Sequence, residues 1–282
     1  MTFILGIVGH PLDHSVSVPM HMSAIFTLGI DYVYLSFDIL PENLPHAIGQ
    51  FKKENIKGFN VTIPYKETIM PYLDDIDERA SRIGAVNTID NENGRLKGYN
   101  TDGTGYLTSL REQTGFDPRG KRVLMIGAGG AAHAVAYALL EAGARHITIA
   151  NRTREHAEVL CRHLGVYFPS ASLQSTGMDT LDSEGRTQPD LVVNTTSIGM
   201  TGAGDIAMDF TGLDRHTVVS DIVYNPLETQ FLKRALQAGL TIHDGAGMLV
   251  HQGAESFRLW TGLRPPVDVM RQAVLKALQE HH

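Results

Sequence analysis

Short runs of Ile, Val, Leu and Phe recur along the chain at residues 3–8, 32–39, 58–62, 122–126, 146–150, 191–194 and 217–221, bounded by glycine, proline or polar residues. Continuous apolar runs of this length read as strands buried on both faces. Helical patterns separate several of them. Strand alternating with helix predicts an α/β fold whose sheet is largely parallel and carries helices on its faces.

The pattern changes character twice. Residues 119–150 read as a polar turn, a buried strand at 123–126, a glycine-rich turn, a helix at 131–141 stopped by Gly143, and a second buried strand. That is a βαβ unit opening a fresh sheet, with a helix at 103–113 leading the chain into it. Beyond about Gly245 the pattern is entirely helical, at 248–260 and 267–280, interrupted by Gly262-Leu263-Arg264-Pro265-Pro266. Two domains are expected: residues 1–103, with 246–282 packing back onto them, and residues 104–245.

Composition narrows the function classes. With 43% hydrophobic and 20% charged residues, the chain is expected to fold throughout. A net charge of -7 and the lack of a long Lys/Arg run give nothing that attracts nucleic acid or an anionic membrane, which leaves a small-molecule partner. Cys161 is the single cysteine, so no intramolecular disulfide forms. The 13 histidines are scattered without zinc-ligand spacing, so no metal site is expected. The apolar stretch at 1–10 is too short for a membrane span and lacks the basic start of a signal peptide, so a cytoplasmic location is expected. The terminal His281 and His282 are either native or added residues.

Gly127-Ala128-Gly129-Gly130-Ala131-Ala132 directly follows the strand at 123–126 and opens a helix, the context that makes G-x-G-x-x-G/A a dinucleotide fingerprint. Gly127 permits the tight turn, Gly129 lets backbone N–H groups approach a pyrophosphate, and Ala132 lets helix and strand pack closely. At the end of the next strand, where an acidic residue would bind the ribose 2′-hydroxyl of NAD, stand Asn151-Arg152-Thr153-Arg154. Guanidinium groups suit a 2′-phosphate, so NADP(H) is the expected cofactor.

Several polar segments accompany the first strands. His14-Ser15-Val16-Ser17 follows strand 3–8, either as a ligand-binding turn or as a helix cap. Asn60-Val61-Thr62-Ile63-Pro64-Tyr65-Lys66-Glu67 lies at the end of strand 58–62, where open α/β sheets bind ligands. Gly84-Ala85-Val86-Asn87-Thr88 and Gly98-Tyr99-Asn100-Thr101-Asp102-Gly103 follow. Each alone could be a solvated loop.

Together and in this order, HSVS, NVTIPYKE, GAVNT, NTDG, GAGGA, NRT, NTTSIG and GMLVHQ resemble the shikimate dehydrogenase family nearly end to end. The resemblance implies an α/β fold of two domains, an N-terminal substrate-binding domain completed by the C-terminal helices and a Rossmann-like NADP-binding domain. It implies reversible NADPH-dependent reduction of 3-dehydroshikimate to shikimate, in aromatic amino acid biosynthesis, by a monomer or homodimer. Carried over by position, Lys66 and Asp102 become the catalytic pair. Ser15, Ser17, Thr62, Asn87, Tyr224 and Gln252 become substrate contacts. Gly127, Ala128, Gly129, Gly130, Ala131, Asn151, Arg152 and Thr153 become cofactor contacts, with Ile222, Gly245 and the Asn194 to Gly199 loop near the nicotinamide and Glu78 as a further contributor.

The chemistry calls for such a pair, because hydride arriving at a ketone carbon leaves negative charge on oxygen that a positioned donor must stabilise and protonate. One departure concerns the cofactor: the family's usual arginine two residues beyond Arg154 is His156 here, which softens the expected preference for NADP. Three alternatives share the fold: a quinate or dual quinate/shikimate dehydrogenase, an enzyme acting on a modified shikimate-like ring, and a non-catalytic ligand-sensing module. Ser17 and Arg152 argue against the first, and retention of both Lys66 and Asp102 argues against the last.

Overall fold

The structure, a computed structural model, describes residues 2–13, 15–54, 56–185, 187–200 and 204–280. His14, His281 and His282 lie outside the described residues. The chain divides into two compact units, Met1–Thr101 with Val250–His282, and Asp102–Leu249.

The first unit contains β1 (Phe3–Gly9), α1 (Ser17–Leu28), β2 (Tyr32–Asp38), α2 (Leu44–Phe51), β3 (Ile56–Val61), β4 (Asp75–Ile76), α3 (Glu78–Ile83), β5 (Thr88–Glu92) and β6 (Arg95–Tyr99). Its six-stranded sheet has the order β2-β1-β3-β5-β6-β4. The strands β2, β1 and β3 are mutually parallel and β4 is parallel to β6, while β5 runs antiparallel to both β3 and β6, so most pairings in this sheet are parallel and β5 makes it mixed. The reason is local: Asn93 and Gly94 both adopt positive φ, 56° and 85°, the geometry of a tight hairpin turn that returns the chain beside itself. Valine, isoleucine and aromatic side chains of β1 and β3 meet α2 in a core where Phe51 packs on Phe37 and Phe59 at ring separations of 4.9 and 5.2 Å.

The second unit contains α4 (Asp102–Thr114), β7 (Arg122–Ile126), α5 (Gly130–Glu141), β8 (His146–Ala150), α6 (Arg154–Tyr167), β9 (Ser172–Thr176), α7 (Leu181–Gly185), β10 (Leu191–Asn194), β11 (Val218–Asp221), α8 (Gln230–Gln237) and β12 (Thr241–His243). All neighbours in its six-stranded sheet are parallel, in the order β12-β11-β10-β7-β8-β9. The chain winds outward from β7 in one direction, then crosses back to β10 and winds in the other. That reversal opens a crevice at the carboxyl ends of β7 and β10, the topological switch point where doubly wound sheets bind ligands. Gly103 allows α4 to approach α5: a Cβ there would stand 2.6 Å from the Ala134 carbonyl oxygen and 2.8 Å from Ala138 Cβ. Buried His243 bridges the Ser109 and Ser220 hydroxyls at 2.8 Å each, and burial lowers its pKa to about 4.

Helix α9 (Gly245–Thr261) begins three residues before the expected start, because Asp244 accepts the Ala246 N–H at 2.9 Å. Its end and α10 (Val267–Glu280) belong to the first unit, where α10 packs on α1. Trp260 donates its indole N–H to the Ile89 carbonyl at 2.8 Å and lies over Gly58, where any Cβ would be 2.3 Å from the indole nitrogen. Among the described residues no helix is long and apolar enough to cross a membrane, and no group of three or more His, Cys, Asp or Glu side chains could hold a metal ion.

His21 is fully buried on α1, its ring stacked 4.2 Å from that of Tyr34, and neither ring nitrogen has a hydrogen-bond partner among the described residues. Burial pushes its pKa down to about 3, with the Asn60 side chain opposing. The folded ring therefore stays neutral while the unfolded chain takes up a proton below pH ~6.5, so stability falls as pH drops below that value. Between pH ~7.5 and ~5 the loss is roughly 2 kcal/mol from this group. Urea midpoints for wild type and His21→Phe at the two pH values check it: the acid-induced loss should shrink in the variant, and an unchanged loss would refute the assignment.

Candidate active site

In the first unit the polar segments converge on one sheet edge. Parallel β1 and β3 both end there, antiparallel β5 begins there, and β6 ends there, with Asn60 opposite Thr88 and Thr88 opposite Tyr99. Ser15 and Ser17 follow β1, Thr62 and Lys66 follow β3, Asn87 precedes β5 and Thr101 follows β6. Ser17 is buried as the first residue of α1, and its N–H points to the Ser15 hydroxyl at 3.4 Å.

Asn87 is the centre of this edge. Its amide donates to Thr101 Oγ1 at 2.9 Å and to Gln252 Oε1 on α9 at 3.2 Å, and its oxygen accepts the Thr101 N–H at 2.8 Å. Behind it, Asn60 shares its amide among the Asn87 carbonyl and the Thr88 and Ser256 hydroxyls at 3.0–3.2 Å, while Tyr34 donates to Asn60 Oδ1 at 2.8 Å. Buried polar groups satisfied this way hold one geometry, since breaking any bond leaves a partner unpaired in a dry environment. Half-buried Lys66 is attached to the same frame through its carbonyl, which accepts the Val86 N–H at 2.7 Å. Asp102 directly follows Thr101 and is buried at the start of α4 in the second unit.

In the second unit, Gly127 leaves β7 at φ 110°, and a Cβ on it would lie 2.6 Å from Thr195 Oγ1 and 2.8 Å from Thr196 Cγ2 across the crevice. Gly129 caps α5 without a side-chain hydrogen bond, and a Cβ on it would meet nothing within 4 Å. A twelve-residue helix thus begins at Gly129 beside open space and without a side-chain cap, an arrangement that suits a pyrophosphate. Ala128, Gly130 and Ala131 complete that turn, and Ala132 is wholly buried. Asn151 follows β8 and donates to the Thr153 carbonyl at 2.8 Å, shaping the turn before α6. Arg152 and Thr153 are exposed there, and Arg152 makes no ion pair among the described residues. Arg154 pairs instead with Glu158, 3.3 Å away on the next turn of α6.

Ile222 and Gly245 come together: a Cβ on Gly245 would fall 2.2 Å from the Ile222 carbonyl oxygen, so only glycine lets α9 start against this backbone. Asp221 sets the loops around them. Its carboxylate accepts from Asn194 Nδ2 at 2.9 Å, the Val223 N–H at 3.0 Å and Thr229 Oγ1 at 2.7 Å, tying the Asn194–Gly199 loop, the turn carrying Tyr224 and the start of α8 to one group. Burial raises its pKa to about 6 and also raises that of Tyr224. Glu78 is exposed on α3 of the first unit and ion-paired with Arg82.

Comparison with known proteins follows the same division. Residues 7–89 match the shikimate dehydrogenase substrate binding domain, 110–182 match shikimate / quinate 5-dehydrogenase, and 245–275 match the shikimate 5′-dehydrogenase C-terminal domain. A shikimate dehydrogenase (NADP(+)) of Methanopyrus kandleri is 45% identical over 99% of this chain and 97% of its own. The chain belongs to the shikimate dehydrogenase family. A crystal structure of a shikimate dehydrogenase in complex with NADP+ superposes with a TM-score of 0.91 at 42% identity, covering 98% of this chain and 96% of that one. The shikimate 5-dehydrogenase of Thermus thermophilus, solved with NADP(H) and shikimate, gives 0.85 at 35% identity over 98% and 100%. Within this family frame, Asn60, Thr101, Ser256 and Asp221 are supporting residues that sequence reading passed over. The signal for Asp221 was its place at the end of a buried strand, three residues before Tyr224.

Proposed function

We propose that this chain catalyses the reversible reduction of 3-dehydroshikimate to shikimate with NADPH, with Lys66 and Asp102 as its catalytic pair. The observation that carries this reading is the likeness to NADP-dependent shikimate dehydrogenases over 99% of the chain, with both of those residues present. The residues assigned to the ring are Ser15, Ser17, Thr62, Asn87, Tyr224 and Gln252. The second unit takes the cofactor at Gly127–Ala131 and Asn151–Thr153, with Ile222 and Gly245 near the nicotinamide.

When bound, NADPH supplies a hydride to the ring ketone carbon. Lys66 stabilises the charge developing on the ketone oxygen and gives it a proton, which solvent later restores. Asp102 accepts a hydrogen bond from the resulting hydroxyl and orients the ammonium group. The uncapped N-terminus of α5, and Arg152 with no ion pair among the described residues, fit a phosphorylated dinucleotide, and Glu78 is a further residue assigned to the cofactor. The enzyme works on a small molecule in the cytoplasm as a monomer or homodimer.

Replacing Arg152 by Ala should raise the KM for NADPH by roughly 10–100-fold and leave that for NADH almost unchanged, because the lost fork recognises the 2′-phosphate alone. Equal losses for both cofactors would show that Arg152 does not read that phosphate. The function itself is tested in the oxidative direction: shikimate with NADP+ should yield NADPH and the conjugated ketone together. If neither forms, the reading fails. Because the match over residues 110–182 names quinate as well, quinate belongs in the same assay.

A further inference from the structure

Ser256 stands on α9 one turn beyond Gln252, on the same face of the helix, and is 0% exposed. Its hydroxyl lies 2.7 Å from Thr88 Oγ1, 3.0 Å from Asn60 Nδ2 and 3.3 Å from Thr101 Oγ1, and 3.0 Å from the Gln252 carbonyl of its own helix. One small side chain thus joins α9 to β3, β5 and the residue after β6, all within the first unit. Three of these partners, Asn60, Thr88 and Thr101, also bond Asn87, and Asn87 bonds Gln252.

Two backbone groups fix the direction of these bonds. The Asn87 carbonyl can only accept, so the Asn60 atom 3.2 Å from it is the amide nitrogen, and Tyr34 donates to the Asn60 oxygen at 2.8 Å. The Thr101 N–H can only donate, so the Asn87 atom 2.8 Å from it is Oδ1, and the Thr88 hydroxyl donates to that same oxygen across 3.0 Å. With its hydrogen spent on Asn87, Thr88 Oγ1 accepts the Ser256 hydrogen across 2.7 Å, a shorter path than the 3.0 Å to the Gln252 carbonyl inside α9. Ser256 Oγ in turn accepts from Asn60 Nδ2, and Asn87 Nδ2 donates to Gln252 Oε1 at 3.2 Å. The bonds therefore run one way, from Tyr34 through Asn60, Ser256, Thr88 and Asn87 to Gln252. At that last residue the amide oxygen is engaged, so Gln252 meets a ring oxygen as a donor.

We propose that Ser256 is a positioning residue for ring binding: it holds Thr88 as the donor that orients the Asn87 amide, and through Asn87 it holds Gln252 in its donor orientation. This rests on the shikimate reading, which assigns Asn87 and Gln252 to the ring, and adds the group that orients them. Without the Ser256 hydroxyl, Asn60 loses its closest acceptor and Thr88 its closest donor. Buried polar groups that lose partners turn toward new ones, and every turn along a one-way chain is passed to its end.

The test is steady-state kinetics of Ser256→Ala and Thr88→Val, which interrupt the chain of bonds at successive links, each made in the wild type and in Gln252→Ala. In the wild type each should raise KM for 3-dehydroshikimate by about tenfold, with kcat and KM for NADPH staying within about twofold. In Gln252→Ala, where no amide is left to orient, adding either change should raise KM by less than about threefold. A merely structural role gives the same factor in both backgrounds. An unchanged KM for 3-dehydroshikimate, the same factor with and without Gln252, or an equal rise in KM for NADPH would each overturn the proposal. Thr88→Val carries the same comparison where Ser256→Ala does not fold. These outcomes leave the dehydrogenase assignment standing, whereas absence of turnover in the wild type would remove both.

Discussion

Lys66→Ala should lower turnover of 3-dehydroshikimate by roughly a thousandfold or more while changing substrate affinity by less than about tenfold. The asymmetry follows from when the ammonium group acts. Before hydride arrives the ketone is neutral and needs no cation, and the contacts proposed to hold the ring are hydroxyl and amide groups. Once charge builds on the oxygen, alanine offers neither a counter-charge nor a proton, so the loss falls on the transition state. Steady-state kinetics with direct titration of shikimate separates the two effects. Near-native turnover would remove Lys66 from the mechanism, and loss of binding with unchanged turnover would make it a substrate anchor instead.

Gly127→Ala should weaken NADPH binding by about a hundredfold or more and lower the melting temperature of the protein, because two penalties coincide. At φ 110° an L side chain is strained, which costs about 1–3 kcal/mol, and the new methyl enters space held by Thr195, whose hydroxyl is fixed on the Ile126 carbonyl at 2.7 Å. Gly129→Ala makes a sharp contrast. Its φ of -94° suits alanine and its Cβ would meet nothing, so melting should be unchanged while the methyl obstructs the pyrophosphate and affinity falls. Thermal melting and NADPH titration of the two variants check both statements. Gly127→Ala with wild-type melting and affinity would contradict the account of this turn, and equal melting losses in both variants would place the cause in packing rather than in the cofactor cradle.

What could be read in advance depended on how local the cause was. The β7–Gly127–α5 turn was legible because strand, glycine and helix lie in consecutive residues, and one backbone angle demands glycine. Runs such as Val123–Ile126 and Leu191–Asn194 announced central strands by being apolar on both faces. The hairpin β5–β6 was also written in the chain, at Asn93-Gly94, yet a search for continuous apolar runs overlooks Thr88–Glu92 and Arg95–Tyr99, where buried and exposed residues alternate. Edge strands β9 and β12 escaped for a related reason: Ser172–Thr176 and Thr241–His243 need be apolar on no more than part of their surface.

The rest of the site depends on long-range pairing that no local pattern reports. Asn60 meets Ser256 across 196 positions, and Asn87 meets Gln252 across 165. By contrast, the commitment of Arg154 to Glu158 follows from ordinary i,i+4 spacing and could have been read beforehand. It leaves Arg152 as the arginine of that turn without an ion-pair partner among the described residues.

The most direct test is the ratio of kcat/KM for 3-dehydroshikimate to that for 3-dehydroquinate, followed by NADPH oxidation under identical conditions. A ratio well above one, with oxidation by both ketones lost in Lys66→Ala, is the predicted result. No oxidation with the first ketone, or faster oxidation with the second, would contradict it.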